Sequence, residues 1–294
     1  LLFPTLKAPP PLPPAGTSAA IRLSSPSSSP SPPVQVSSPL IKPPVIAAAP
    51  VAVVSKPPVI LASHLKGPML VHLRMAIEKM GGIIADSFSN AVTHMVIETD
   101  EQKRVSNRTP KYAQAILSGK WVLEFKWVLD SFAAGKWLDE TAYEVLADQH
   151  AAGAARTGRI RVQHGDPPLF ANHKFFIAPT VQAAVASSIA EVITAGGGDI
   201  LKLTPPPPAN VQEVLSGATG TNSIGESTHV LALNTLKIED SRQLYLQTGR
   251  RPTSVEWVMN CVSSYKILPT AAYELAVVSG DELKGLATQQ SLAF

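Results

Sequence analysis

A single cysteine, Cys261, stands in 294 residues. One thiol closes no intrachain disulfide and builds no cysteine-based zinc cluster, a usage that fits a reducing compartment. Cys261 lies four residues after Trp257 in an apolar helical pattern with no partnered base, so it reads as a packed core thiol, not a nucleophile. Long apolar runs are missing too. None reaches the roughly 18 residues of a membrane helix, and no membrane partner is expected. Acidic residues are absent from residues 1–58, where Lys7, Arg22, Lys42 and Lys56 give +4. The remainder holds 21 basic against 22 acidic residues, a net −1. Such a body lacks the broad positive field of general nucleic-acid binding and leaves room only for a local basic site. Sequence-specific nucleic-acid binding is therefore not expected. No G-x-G-x-x-G turn, nucleophile–base pair, carboxylate dyad or metal-ligand spacing occurs, so no catalytic site, cofactor or metal is expected.

What the chain has in excess is proline, and it is concentrated. Residues 1–58 hold 16 of the 27 prolines, with a Ser/Pro tract at 24–33. Proline removes backbone donors, and the scattered apolar residues keep no period, so residues 1–57 read as a disordered tether. Within it, residues 7–13 fit a generic SH3-ligand pattern, and Ser25, Ser29, Ser31 and Ser38 each precede proline. Both patterns are cheap in such a tract, and a plain linker explains them. The chain opens on Leu1 and not on methionine, as expected of a piece of a longer protein.

Beyond the tether, one stretch occurs twice. Residues 119–145 read GKWVLEFKWVLDSFAAGKWLDETAYEV, and residues 249–275 read GRRPTSVEWVMNCVSSYKILPTAAYEL. Gly119, Trp127 and Tyr143 return as Gly249, Trp257 and Tyr273, 130 residues on without a gap. THMVI at 93–97 is echoed by THVLAL at 228–233, and Gly81-Gly82 by Gly196-Gly197-Gly198. A period this long means two copies of a small domain. His94 and His229 occupy the same station in both copies and read as structural. Trp121, Trp127 and Trp257 read as core anchors.

Periodicity predicts a strand at 59–62, a helix at 69–80 ended by Gly81-Gly82 as a left-handed cap, and strands at 83–85 and 93–97. A helix from 109 to about 118, a strand at 121–123 and a helix at 126–134 complete the copy. The second copy predicts strands at 175–178, 200–203 and 228–233, with helices at 181–194, near 238–247 and around Trp257. The order β-α-β-β-α-β-α, with strands apolar on both faces, implies an α/β fold: a small, mostly parallel four-stranded sheet flanked by helices, present twice in tandem. The boundaries are a first domain at 58–147, a Gly/Ala-rich linker at 148–169 carrying Arg156, Arg159 and Arg161, a second domain at 170–280 and a tail at 281–294.

One helix start is unusual. Thr109 is a natural N-cap and Pro110 a natural first-turn residue, which places Lys111 in the first turn behind Arg108. The helix dipole disfavours a cation there by a few tenths to ~1 kcal/mol. The second copy has Glu239 and Asp240 at that station. A cation where the twin places acids suggests an anion ligand, and phosphate suits helix N-termini. In a parallel sheet the end of the first strand, Ser63-His64, lies near that helix start.

The double glycine, the Thr-His strand, Gly-Lys-Trp-Val and the helix tryptophan with its following tyrosine together resemble tandem BRCT domains, over residues 59–275. Within the family the resemblance is to C-terminal pairs of RING-bearing proteins. It implies a nuclear, non-catalytic phosphoserine or phosphothreonine reader in DNA-damage signalling and chromatin, at the substrate-recognition end of a RING ubiquitin ligase subunit. The implied partners are a phosphorylated protein segment and a ubiquitin-modified nucleosome. The implied phosphate ligands are Ser63, the backbone N–H of His64, Thr109 and Lys111, with Arg108 at the ligand backbone. The sequence departs from the family at His64, where glycine is usual. It departs again at Ala113, where an aromatic residue lines a pocket for the third residue after the phosphoserine. A phosphate-independent scaffold that binds a folded partner is the alternative. In this family the second helix of the first domain packs on the second domain, which sets Ala113, Ile116 and Leu117 against Val258 and Val262.

Overall fold

The computed structural model describes residues 57–206 and 227–277. The Pro/Ser-rich tether with its SH3-like and Ser-Pro patterns, most of the segment after the second copy's second strand, and the tail at 281–294 lie outside the described residues. The first repeat runs β1 (Val59–Ser63), α1 (Gly67–Met80), β2 (Ile83–Ala85), β3 (His94–Ile97), β4 (Arg104–Val105), α2 (Pro110–Leu117), β5 (Trp121–Glu124) and α3 (Lys126–Ala134). Its sheet is parallel, ordered β2-β1-β3-β5. The second repeat runs β7 (His173–Ile177), α5 (Ala183–Ala195), β8 (Asp199–Ile200), β9 (Ser227–Ala232), α6 (Ile238–Thr248), β10 (Thr253–Ser254) and α7 (Glu256–Ser264). Its parallel sheet is ordered β10-β9-β7-β8. The expected fold class is as read from the sequence; the second sheet's short fourth strand, β10, was not.

Three local expectations need correction. Gly81 ends α1 at φ 79° and ψ 160°, a positive-φ extended conformation and not a left-handed helical cap. The strand expected at 200–203 stops at Ile200: Leu203 is 82% exposed, and the prolines from Pro205 onward have no N–H to offer a ladder. Trp121 is only partly buried, whereas Trp127 and Trp257 are fully buried. The linker is also structured. β6 (Ala147–Asp148) pairs in parallel with β4, and α4 (Ala154–His164) follows.

The linker's arginines explain Trp121. Arg159 makes a bidentate pair with Glu144 at 2.8 and 2.9 Å and lies 3.7 Å over the Trp121 ring. Gly158 brings α4 against α2: a methyl there would lie 2.1 Å from the Ile116 carbonyl oxygen, so only glycine permits the approach.

The reading PKYAQAIL for α2 lacks a polar face, and a helix without one must be buried on all sides. Every residue from Tyr112 to Leu117 is buried. Ala113, Ile116 and Leu117 enter one apolar cluster with Ile189, Val192 and Ile193 of α5 and Val258 and Val262 of α7. The repeats therefore share a core across their seam, as expected. Burying each such aliphatic side chain contributes about 1.5–3 kcal/mol. Two other clusters belong to single repeats, one around Trp127, Trp137 and Leu73, the other around Phe176, Val230 and Leu244. Among the described residues no helix is long and apolar enough to cross a membrane.

Candidate functional site

In an open parallel sheet, ligands bind outside the carboxyl ends of the strands, where the strand order reverses. In the first repeat that point lies between β1 and β3, because β2 lies on one side of β1 and β5 beyond β3. Ser63 is the last residue of β1, paired in register with Ile97. The segment leaving β3 returns to start α2 at Pro110. The fold thus brings the end of β1 to the start of α2.

Ser63 is 7% exposed, and its Oγ lies 3.0 Å from Thr109 Oγ1. Thr109 Oγ1 also accepts a hydrogen bond from the Tyr112 backbone N–H at 3.1 Å, so this hydroxyl caps α2 and anchors Ser63 together. His64 adopts φ +57°, the left-handed region. That conformation explains why the family favours glycine there, since a side chain costs roughly 1–2 kcal/mol. Asn107 Nδ2 donates to His64 Nε2 at 2.7 Å, which holds the imidazole over the loop before α2. Lys111 has no acidic neighbour in the first turn of α2, and its Nζ donates to the Asp86 carbonyl at 2.9 Å. Nearby, Glu98 is paired with Lys66 at 2.6 Å.

Arg108 reaches the second repeat. Its Nη1 crosses the seam and donates to Asn260 Oδ1 at 2.6 Å and Ser263 Oγ at 3.1 Å, both on α7. Ser263 in turn donates to the buried Asp148 at 2.6 Å. Burial lowers the Arg108 pKa, and Asp148 and Glu256 oppose that shift. The structure brings Ser63, Thr109, His64 and Asn107 together around the start of α2, with Lys111 in its first turn, and turns Arg108 into a tie between repeats. Asn107, Asn260, Ser263 and Asp148 were not legible as site residues. Their partners lie 43 to 155 positions away, and no local spacing marks them.

Beside Lys111, a groove of about 570 Å³ opens between α2, α5 and the turn after β2, lined in part by Phe88, Lys111, Gln114, Ala190, Glu191 and Ala195. Gln114 is buried and donates Nε2 to Glu191 Oε2 at 2.9 Å. Among the described residues, no group of three or more His, Cys, Asp or Glu could hold a metal ion. Cys261 is fully buried, and burial pushes its thiol up to about 12, so it is unreactive. His94 and His229 are structural, stacked on Trp127 and tilted against Trp257 respectively.

Comparison with known proteins agrees with this architecture. Residues 168–274 match the family described as BRCT domain, and residues 70–132 match that described as BRCA1 C Terminus (BRCT) domain. The BRCA1-associated RING domain protein 1 of Arabidopsis thaliana is 27% identical over 210 residues, 65% of this chain and 28% of the relative. Its Homo sapiens counterpart is 26% identical over 188 residues, 62% of this chain and 22% of the relative. The chain thus spans less than a third of the length of these curated relatives. The crystal structure of S. pombe Brc1 BRCT5-BRCT6 covers 75% of this chain and 98% of its own at 15% identity, with a TM-score of 0.47. With each repeat matched on its own, this chain belongs to the BRCT-domain family as a tandem pair.

Proposed function

We propose that the pair is a non-catalytic reader of phosphoserine or phosphothreonine in a protein segment. In this reading the Ser63 hydroxyl, the His64 backbone N–H and the Lys111 ammonium hold the phosphate, and Thr109 positions Ser63. The observation that carries it is the Ser63–Thr109 contact at the start of a helix whose first turn holds a lysine and no acid. A phosphate of charge about −1.5 to −2 is a far stronger partner for Lys111 than the neutral Asp86 carbonyl. Arg108, held from the second repeat by Asn260 and Ser263, stands just before the cap to meet the ligand's backbone. Because the matched relatives are named as RING-domain proteins associated with BRCA1, we place the chain in the nucleus, in DNA repair and chromatin, at the substrate-recognition end of a RING ubiquitin ligase subunit.

The second reading, a phosphate-independent scaffold for a folded partner or a ubiquitin-modified nucleosome, has its own observation. Lys111, Ser63 and Arg108 all have protein partners already. Binding to matched phosphorylated and unphosphorylated peptides separates the two. A reader binds only the first of each pair. Replacing Lys111 by Met removes one charge-assisted bond, ~1.5–3 kcal/mol, or ten- to more than a hundredfold in affinity. A scaffold is indifferent to both changes.

A further inference from the structure

The groove beside Lys111 has two unlike walls. One is apolar: Phe88, which packs against the seam core, with Ala190 and Ala195 of α5. The other is polar and held in place, because the buried Gln114 donates to Glu191 Oε2 at 2.9 Å and fixes the carboxylate at the groove. Gln114 satisfies part of Glu191 and none of its charge. Once a phosphate neutralises Lys111, Glu191 is the remaining formal charge among the lining residues. Ala113, where the sequence already departs from the family's aromatic pocket residue, is fully buried in the seam and lines no pocket of that kind.

We propose that this groove is a cation-accepting subsite, and that the preferred ligand carries an arginine or lysine a few residues from its phosphoserine. This rests on the phosphate-reading assignment above. The aliphatic stem of such a side chain covers Phe88, Ala190 and Ala195, while its charged head meets Glu191, an arrangement that suits long cationic side chains. A groove of about 570 Å³ is large enough for one such side chain with flanking backbone. Specificity then comes from the opposed charges of the two neighbouring stations: an anion at Lys111 and a cation at Glu191. A ligand with an acidic residue in place of the cation is rejected, because it brings a second negative charge to a carboxylate that Gln114 cannot neutralise.

The test uses the full chain and synthetic peptides with one phosphoserine in an alanine background. Arginine, glutamate or phenylalanine is placed in turn at each of the positions flanking it, and each peptide has an unphosphorylated twin. Binding is followed by fluorescence anisotropy. At one position arginine binds about three- to tenfold tighter than glutamate, as for a partly exposed ion pair. Glu191→Gln removes that preference, and Glu191→Lys reverses it, while both variants keep their preference for phosphorylated peptides. Phosphorylation-dependent binding with no arginine preference, or with a phenylalanine preference insensitive to Glu191, overturns the subsite and leaves the reader intact. Equal binding of phosphorylated and unphosphorylated twins overturns the reader, and the subsite with it.

Discussion

The two repeats share a sheet, a helix order and a buried tryptophan, yet they differ at two stations that matter. At the start of the helix after the third strand, the first repeat has Thr109, Pro110 and Lys111. The second has Lys237 as a cap with no side-chain bond, then Glu239 and Asp240 in the first turn. Acids at a helix N-terminus complement the dipole and fill the place an anion would take. At the reversal of strand order, the first turn of the helix thus carries a lysine and no acid in one repeat and two acids in the other. The second difference is internal. His94 Nε2 lies 3.0 Å from the Glu140 carboxylate, whereas His229 Nε2 lies 2.9 Å from His173 Nδ1. Thr270 stands at the station of Glu140. A duplicated domain keeps its packing residues and varies the polar partner beside them. Both copies support the seam.

The largest effect is expected where the comparison breaks down, at the core both repeats own. Leu117→Asp buries an unpaired carboxylate in the seam and should cost at least ~4 kcal/mol. Differential scanning calorimetry should show the repeats weakened together, and an unchanged transition for the second repeat would contradict a shared core. Gly158→Ala attacks the same seam from the linker and should cost about 1–3 kcal/mol by overpacking against α2.

Acid should tell the repeats apart. Burial, with His173 and Arg250 adding repulsion, lowers the His229 pKa from 6.5 to about 4. Its neighbour His173 is lowered by burial as well. A neutral pair has one donor and one acceptor between the rings, and protonating the acceptor sets two donors face to face. The unfolded chain therefore takes up the proton first. This stabilisation is complete above pH 6.5 and is lost as pH falls towards 4, by about 3 kcal/mol for His229. Hydrogen exchange should show β7 and β9 losing protection before β1 and β3 across that window. Loss that begins in β1 and β3 would contradict the assignment.

A smaller change sharpens the anion station. Ser63→Ala removes a neutral hydroxyl and leaves the His64 N–H and the Thr109 cap, so phosphopeptide affinity should fall by ~1 kcal/mol with the melting temperature nearly unchanged. A loss of affinity no greater for phosphorylated than for unphosphorylated peptide would place Ser63 in packing alone.

What the sequence made legible was local or repeated. The Thr109 cap, the proline behind it and the missing polar face of α2 are read within ten residues, and both tryptophan helices announce themselves by recurrence. The seam was legible only as a family expectation, and its polar ties were not legible at all. Arg108 meets Asn260 and Ser263 across more than 150 residues, and Gln114 meets Glu191 across 77. The linker's own structure was not legible either, because its roles lie in distant partners: Gly158 serves close helix packing against α2, and Arg159 serves Glu144 and Trp121.

An isothermal titration that counts sites as well as measuring affinity tests the single anion station most directly. A phosphoserine peptide and its serine twin are titrated into the unmutated chain, into Lys111→Met and into Lys237→Met. One site per chain is expected, at least tenfold selective for phosphoserine, equivalent to ~1.4 kcal/mol. Lys111→Met should abolish that selectivity and Lys237→Met should leave it unchanged. Two equivalent sites, or a selectivity that survives Lys111→Met, would contradict the assignment of phosphate to the first repeat.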